Sequence, residues 1–318
     1  MVDLSPVTLE RRLASGRAER FEVAGARRLV AAWSAADTAR VALRATFASG
    51  AEAAFVLATC ARGARRSHSS AAACADLAVD ELRAREPLAS ITLESDRPLG
   101  TVTIAASRTT AAPPPTPLRA GAPAGAPAVA LAVEPRSQYG PAPERGTPAF
   151  RAGARGWCAP ASLAILLAAA GRALATDEVA AAVFDEAYAG TGNWSFLAGF
   201  AARYGFGAVA YLRDLAHARR FVEAGYPLAL SFSWPPGGLA GAPLAQSAGH
   251  LAVLCGFDDR GDPRFADPAQ PAGLAVYDYA CFERVWLAHG GVAILAGAAG
   301  SAARMLALAN GGVPSCGA

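Results

Sequence analysis

Residues 155–171, Arg155-Gly156-Trp157-Cys158-Ala159-Pro160-Ala161-Ser162 followed by LAILLAAAG, put a cysteine at the head of an apolar run. The run reads as a helix, with Pro160 in its first turn and Gly171 at its C-cap. A thiol at a helix start meets unpaired backbone N–H groups and the positive end of the helix dipole. Both favour the thiolate, which is the nucleophilic form. Gly156 permits close approach of the chain, and the N–H of Cys158 is suited to an oxyanion. On this feature alone a buried structural cysteine is an equally good reading.

Two further stretches bear on Cys158. In Ala248-Gly249-His250-Leu251-Ala252-Val253-Leu254 a histidine opens an apolar strand, which puts its imidazole at the rim of a sheet. Taken alone, a satisfied core histidine explains it as well. The chain has four histidines. His68 and His217 fall in polar stretches expected to be exposed, and His289 closes a helix before Gly-Gly. Seventeen residues after His250 comes Arg264-Phe265-Ala266-Asp267-Pro268-Ala269, read as the partner strand of a hairpin that turns at residues 258–263. Adjacent antiparallel strands can set His250 beside Asp267, where a carboxylate would hold the tautomer of the imidazole and stabilise its charged form. Alone, Asp-Pro is simply a turn. A cysteine at a helix start followed by His and Asp on consecutive strands is the chain order of papain-like thiol hydrolases.

Outward from this core the chain changes character twice. Residues 20 to about 108 hold short alternating or β-branched runs such as ARVALRATF, EAAFVLATC, SITLES and GTVTIAAS, separated by turn residues. They predict an all-β sandwich or jelly roll. VDELRAREP, residues 79–87, fits a strand and turn or a short helix. Residues 109–128, TTAAPPPTPLRAGAPAGAPA, read as a Pro/Ala/Gly linker. The expected organisation is a β-rich accessory domain over 1–108, the linker over 109–128, and a second domain over 129–318. The second opens with helices: the run after Cys158, then TDEVAAAVFDEAY capped by Thr176, then SFLAGFAARYG. Strands FGAVAYL, PLALSFSW, HLAVLCGFD, PRFADPA and GVAILAG follow, with two helices among them. This is an α+β pattern.

Composition excludes several chemistries. All 29 basic residues are arginine, so no P-loop lysine, Schiff-base lysine or Ser–Lys dyad exists here. The net charge of +3 is spread along the chain. Its densest cluster, Arg62, Arg65 and Arg66, reads as a solvated loop and not as a nucleic-acid site. Hydrophobic residues make up 53% of the chain, but no stretch of about 20 strongly apolar residues suggests a membrane span. The six cysteines show no CxxC and no His/Cys ligand spacing, so neither a disulfide scaffold nor a zinc site is expected, and thiol hydrolysis itself needs no metal or organic cofactor. Pairing of Cys60 with Cys74 is left open. The first residues lack an apolar signal segment. The default expectation is a cytoplasmic protein, with an extracellular or envelope location open.

WCAPASLAILLAAAG, GTGNWSF, GYPLALSFSW, SAGHLAVLCGFDDRGDPRFADPA and VYDYACFERVWL together resemble the C39-like cysteine peptidases, relatives of the bacteriocin-processing proteases. The resemblance covers about 130–298 and extends more weakly to the accessory domain that precedes the peptidase in many members. It implies a papain-like cysteine peptidase fold without cofactor. Cys158 would be the nucleophile, His250 the base and then acid, and Asp267 the orienting carboxylate. Ala266-Asp267-Pro268 stands where the family usually has Asn-Asp-Pro. The nearest candidate for the family's oxyanion glutamine is Gln138, which reaches the site only if the intervening segment folds back; otherwise Gln138 is a linker residue. Trp157, Asn193 and Trp194 are candidates for the substrate groove, with Trp194 equally readable as a plug on the core. Residues 234–238, Trp-Pro-Pro-Gly-Gly, fit a lip or a plain connecting loop. The expected partner is a peptide or protein substrate, with a cell-wall or carbohydrate ligand possible for the β-rich domain. The rival expectation is a two-domain envelope or surface binding protein whose peptidase-like domain is inactive.

Overall fold

The computed structural model describes residues 7–14, 18–34, 39–61, 64–110, 127–139 and 156–312. The N-terminal part is all-β, with strands β1 (Val7–Ala14), β2 (Ala18–Glu22), β3 (Arg28–Trp33), β4 (Arg40–Phe47), β5 (Glu52–Ala61), β6 (Ala64–Ser67), β7 (Ser70–Ala71), β8 (Ala75–Ala78), β9 (Glu81–Ala84), β10 (Leu88–Ser95) and β11 (Gly100–Ser107). They form a six-stranded sheet in the order β1-β11-β3-β9-β8-β7 and a five-stranded sheet in the order β2-β10-β4-β5-β6. Every pairing between these strands is antiparallel. In β4 Val41, Leu43, Ala45 and Phe47 point into the core while the alternate residues are exposed or half-buried, the alternation of a sheet with one wet face. The ambiguous run 79–87 contains a strand, β9. It closes a two-residue turn with β8, so the helical option does not hold.

The C-terminal part mixes helices and strands: β12 (Val129–Ala130), α1 (Cys158–Ala169), α2 (Thr176–Val183), α3 (Trp194–Ala202), β13 (Phe206–Tyr211), α4 (Leu215–Glu223), β14 (Leu228–Trp234), β15 (Ser247–Phe257), β16 (Pro263–Ala266), β17 (Leu274–Val276), α5 (Tyr279–Ala288), β18 (Val292–Gly297) and α6 (Ala302–Ala309). One antiparallel sheet runs β13-β18-β14-β15-β16-β17, with β12 also on β15. The expected α+β composition is therefore present, preceded by an all-β part. Thr176 is the first residue of α2 and not its cap, which is Ala175. Most of the expected linker, residues 111–126, lies outside the described residues.

The two parts share one apolar core. Every residue of β3 is buried, because one face of its sheet is covered by α3 and β13. A Cβ on Gly199 of α3 would lie 2.2 Å from the Trp33 carbonyl oxygen, so only glycine allows this helix to sit against the strand. Polar contacts run along the same seam. Arg28 and Glu81 form a buried pair. The Tyr211 hydroxyl donates to Glu81 Oε1 at 2.8 Å, and Arg28 Nη1 donates to the Gly290 carbonyl at 3.2 Å. His217, expected to be exposed, is buried instead. It lies on the inner face of amphipathic α4, with Nε2 2.8 Å from the Leu308 carbonyl.

Candidate active site

Cys158 is the first residue of α1, and the N-cap residue, Trp157, makes no side-chain capping hydrogen bond. The open N–H groups of the first turn thus face the same space as the thiol. One turn on, Ser162 Oγ donates to the Leu251 carbonyl at 3.0 Å, which pins α1 to β15. His250, also on β15, is held by that contact within hydrogen-bonding reach of the Cys158 thiol. Phe232 and Trp234 of β14 stand edge-on to the imidazole at centroid distances of 5.3 and 5.8 Å, and the ring is 1% exposed.

Asp267 follows directly on β16, at the end of the sheet where β15 carries His250. Its Oδ1 lies 2.9 Å from His250 Nε2 and accepts the Ala269 N–H at 2.9 Å. Its Oδ2 accepts the Tyr277 hydroxyl at 2.6 Å. Engagement of Nε2 by the carboxylate leaves Nδ1 as the nitrogen available to the thiol.

The electrostatics follow from these contacts. Burial alone would raise the Asp267 carboxyl, but the hydrogen bond and charge of His250, with Tyr277 and the Ala269 N–H, hold it below its ordinary range. Burial would lower His250, yet hydrogen bonds to Asp267 and Cys158 push it up to about 10. Burial would raise the thiol, but the His250 hydrogen bond and charge and the N–H groups of Leu251 and Ala159 bring it below its usual value. Both shifts favour the thiolate–imidazolium form of the pair.

A cleft of about 590 Å³ opens over these residues. Cys158, His250 and Gln138 line it, and so does Trp194, whose ring stands edge-on to His289 at 6.1 Å. Gln138 is 3% exposed, its N–H donates to the Pro268 carbonyl at 2.9 Å, and its Oε1 has no partner among the described residues. Gln138 is thus packed beside the Asp267–Pro268 turn, where it lines the cleft.

The other two groove candidates sit elsewhere. Trp157 is 1% exposed, packs on Ala180 and does not line the cleft. It is the N-cap residue of α1, just ahead of Cys158. Asn193 is 1% exposed. Its Oδ1 accepts the Phe196 N–H and its Nδ2 donates to Asp185 Oδ2, both at 3.0 Å, which makes it the cap of α3. Of the loop at 234–238, none lines the cleft; Leu244 and Ser247–Gly249, further along, do. Among the described residues no group of three His, Cys, Asp or Glu side chains could hold a metal ion. No described helix is long and apolar enough to cross a membrane. Cys74 is a free thiol, so no disulfide joins it to Cys60.

The sequence profile of the Peptidase_C39 like family matches residues 130–294, slightly more than half of the chain. The chain belongs to the C39-like peptidase family. A crystal structure of a Bacillus anthracis protein assigned to the C39-like peptidases is also similar, with 17% sequence identity and a TM-score of 0.40, over 52% of this chain and 96% of that one. No curated protein matches the chain in sequence.

Two features of this C39-like chain have no counterpart in the sequence reading. Tyr277 completes the shell of Asp267, ten residues on, and its only sequence signal is its place in VYDYACFERVWL. The cleft also has a wall that the family match does not contain. Ala78 to Glu81 and Arg83 come from the β8–β9 hairpin of the all-β part, and no local pattern connects those residues to Cys158.

Proposed function

We propose that this C39-like chain is a cysteine hydrolase of peptide or amide bonds, built on a papain-like arrangement in which α1 supplies Cys158 and the sheet supplies His250 and Asp267. The observation that carries this reading is the run of contacts from a thiol and imidazole that line the cleft to a buried, fully bonded carboxylate behind them.

The Cys158 thiolate attacks the substrate carbonyl carbon, and a tetrahedral oxyanion forms. The N–H of Cys158 and the side-chain amide of Gln138 are the donors to that oxygen. Collapse breaks the C–N bond, and the His250 imidazolium gives its Nδ1 proton to the leaving amine. A thioester remains. Water attacks it as His250 takes a proton back, and the acid departs with the thiol restored. Asp267 accepts from Nε2 throughout, which holds the ring with Nδ1 toward sulfur.

The test is alkylation of Cys158 by iodoacetamide across pH 4–9, in wild type and His250→Ala. The Cys158 pKa is lowered, so thiolate persists as pH falls below the ordinary thiol range. The His250 pKa is raised to about 10, so the imidazolium persists up to that pH. Wild type should react fast at pH 6. His250→Ala loses both supports of the thiolate and leaves burial unopposed, so its rate at pH 6 should fall roughly 100-fold, allowing for the greater nucleophilicity of a more basic thiolate. If both proteins react only as pH approaches about 8.5, an ordinary thiol, Cys158 is no working nucleophile and the proposal fails.

Gln138→Ala should lower kcat by about 10²–10³ with little change in KM, because the lost donor acts on charge that develops only in the transition state. Steady-state kinetics on any cleaved peptide checks this. An effect confined to KM would remove Gln138 from the oxyanion role.

A further inference from the structure

The β8–β9 hairpin is far from Cys158 in sequence, yet its tip forms one side of the cleft. Its two-residue turn holds Val79 at φ 59°, a left-handed conformation that a β-branched residue adopts only under constraint. The constraint is visible. The Val79 N–H donates to Ser69 Oγ at 2.9 Å, and the Asp80 N–H donates to the Ala78 carbonyl at 2.7 Å. The Asp80 carboxylate accepts the Trp194 N–H at the start of α3. The hairpin is thus locked onto the peptidase part.

The charges on this wall are unequal in availability. Asp80 is turned onto the backbone of α3; burial, only partly offset by the Trp194 and Ser195 N–H groups, pushes its carboxyl up to about 7. Glu81 is buried, with Oε1 taken by Arg28 and the Tyr211 hydroxyl, and Oε2 by Arg83 Nε at 2.7 Å. Asp76, the cross-strand neighbour of Arg83, pairs with Arg85 at 2.5 Å. Arg83 is different. Its side chain is 52% exposed and, among the described residues, only its Nε has a protein partner. Glu81 fixes the guanidinium plane and leaves the two terminal nitrogens for a ligand. A planar fork held in this way fits a carboxylate.

Building on the cysteine hydrolase reading, we propose that Arg83 is a specificity-determining residue that anchors a carboxylate of the peptide substrate, so that the all-β part supplies one subsite of the cleft. The acid is a side-chain Asp or Glu or the C-terminal carboxylate of the peptide.

The experiment uses the full chain and a set of acetylated hexapeptides in which each position in turn carries Glu, Gln or Lys, each peptide made with a free and an amidated C-terminus. Cleavage is read by mass spectrometry. At one position Glu should exceed Gln by about five- to tenfold in kcat/KM, the scale of one charge-assisted pair. A preference that follows the free C-terminus instead identifies the terminal carboxylate. Arg83→Gln should erase the preference and Arg83→Glu should invert it toward lysine, a gain that a misfolded protein cannot produce. Equal cleavage of all acid and amide pairs by wild type, or a preference that survives Arg83→Glu, overturns the proposal. Failure of the hydrolase reading appears separately, as Cys158 alkylation that requires alkaline pH. The anchor is then decided by binding of the same peptides to Cys158→Ala, where equal affinity for Glu and Gln peptides overturns it.

Discussion

Cys158→Ser is expected to abolish hydrolysis, with kcat/KM lower by a factor on the order of 10⁴ or more, while the folded state keeps nearly its full stability. Serine has almost the shape of cysteine, so α1 and its Ser162 contact to β15 should be retained. The acid–base chemistry is lost. The thiol is brought below its usual pKa by the His250 hydrogen bond and charge and by two backbone N–H groups, against the opposing effect of burial. An alcohol begins so far above the thiol range that the same contacts leave it neutral, and no stored ion pair exists before substrate arrives. Burst kinetics with an activated ester would check the point, since wild type should accumulate an acyl-enzyme and Cys158→Ser should show no burst. Retention of more than about a tenth of the activity would mean that another group performs the attack.

Asp267→Ala should damage both catalysis and folding. The carboxylate side chain is fully buried and accepts from His250, Ala269 and Tyr277. Removing it strands the Tyr277 hydroxyl and His250 Nε2 in an apolar setting, which costs about 3–5 kcal/mol by analogy with other buried charged partners. The loss should depend on pH. The Asp267 pKa is depressed, so its contribution is present above the unfolded value of about 3.9 and is lost as pH falls through the folded pKa. The His250 pKa is raised, so its contribution is complete below about 6.5 and is lost as pH rises through about 10. The gap between wild type and variant should thus be widest between about pH 4 and 6.5 and narrow on either side. Urea unfolding at pH 3, 5.5 and 9.5 measures it. The expected loss in kcat is about 10⁴-fold, since nothing then holds the imidazole in the working tautomer. A uniform stability loss at all three pH values would show that the carboxylate acts through packing alone.

The β3 strand shows why local reading stops short at the seam. RLVAAW has no alternation, and in isolation such a run fits a buried strand or part of a helix. Its burial on both faces follows from α3, which docks more than 160 residues later through Gly199. The groove candidates make the same point. Trp157 and Cys158 are neighbours, and sequence cannot say which of them faces the cleft; the phase of α1 turns Cys158 toward it and buries Trp157. Likewise Asn193 and Trp194 are adjacent, and the cap geometry of α3 assigns the first to Asp185 and the second to the cleft wall.

The sequence by itself determined the order of the elements, the all-β and α+β parts, the C39-like family, and three candidate residues. Each of these is carried by a local pattern: strand alternation, a helix that opens at Cys158, a histidine at a strand start, and an Asp-Pro turn after a hairpin. Only the tertiary structure decided that the Cys158, His250 and Asp267 side chains meet, that Tyr277 and a folded-back Gln138 join them, and that Arg83 reaches the same cleft from the β-sheet part. The physical reason is range. Propensity and periodicity act over a few residues, whereas burial and hydrogen bonding between Gln138, Arg83 and the cleft depend on how distant segments pack, and no short window of sequence encodes that.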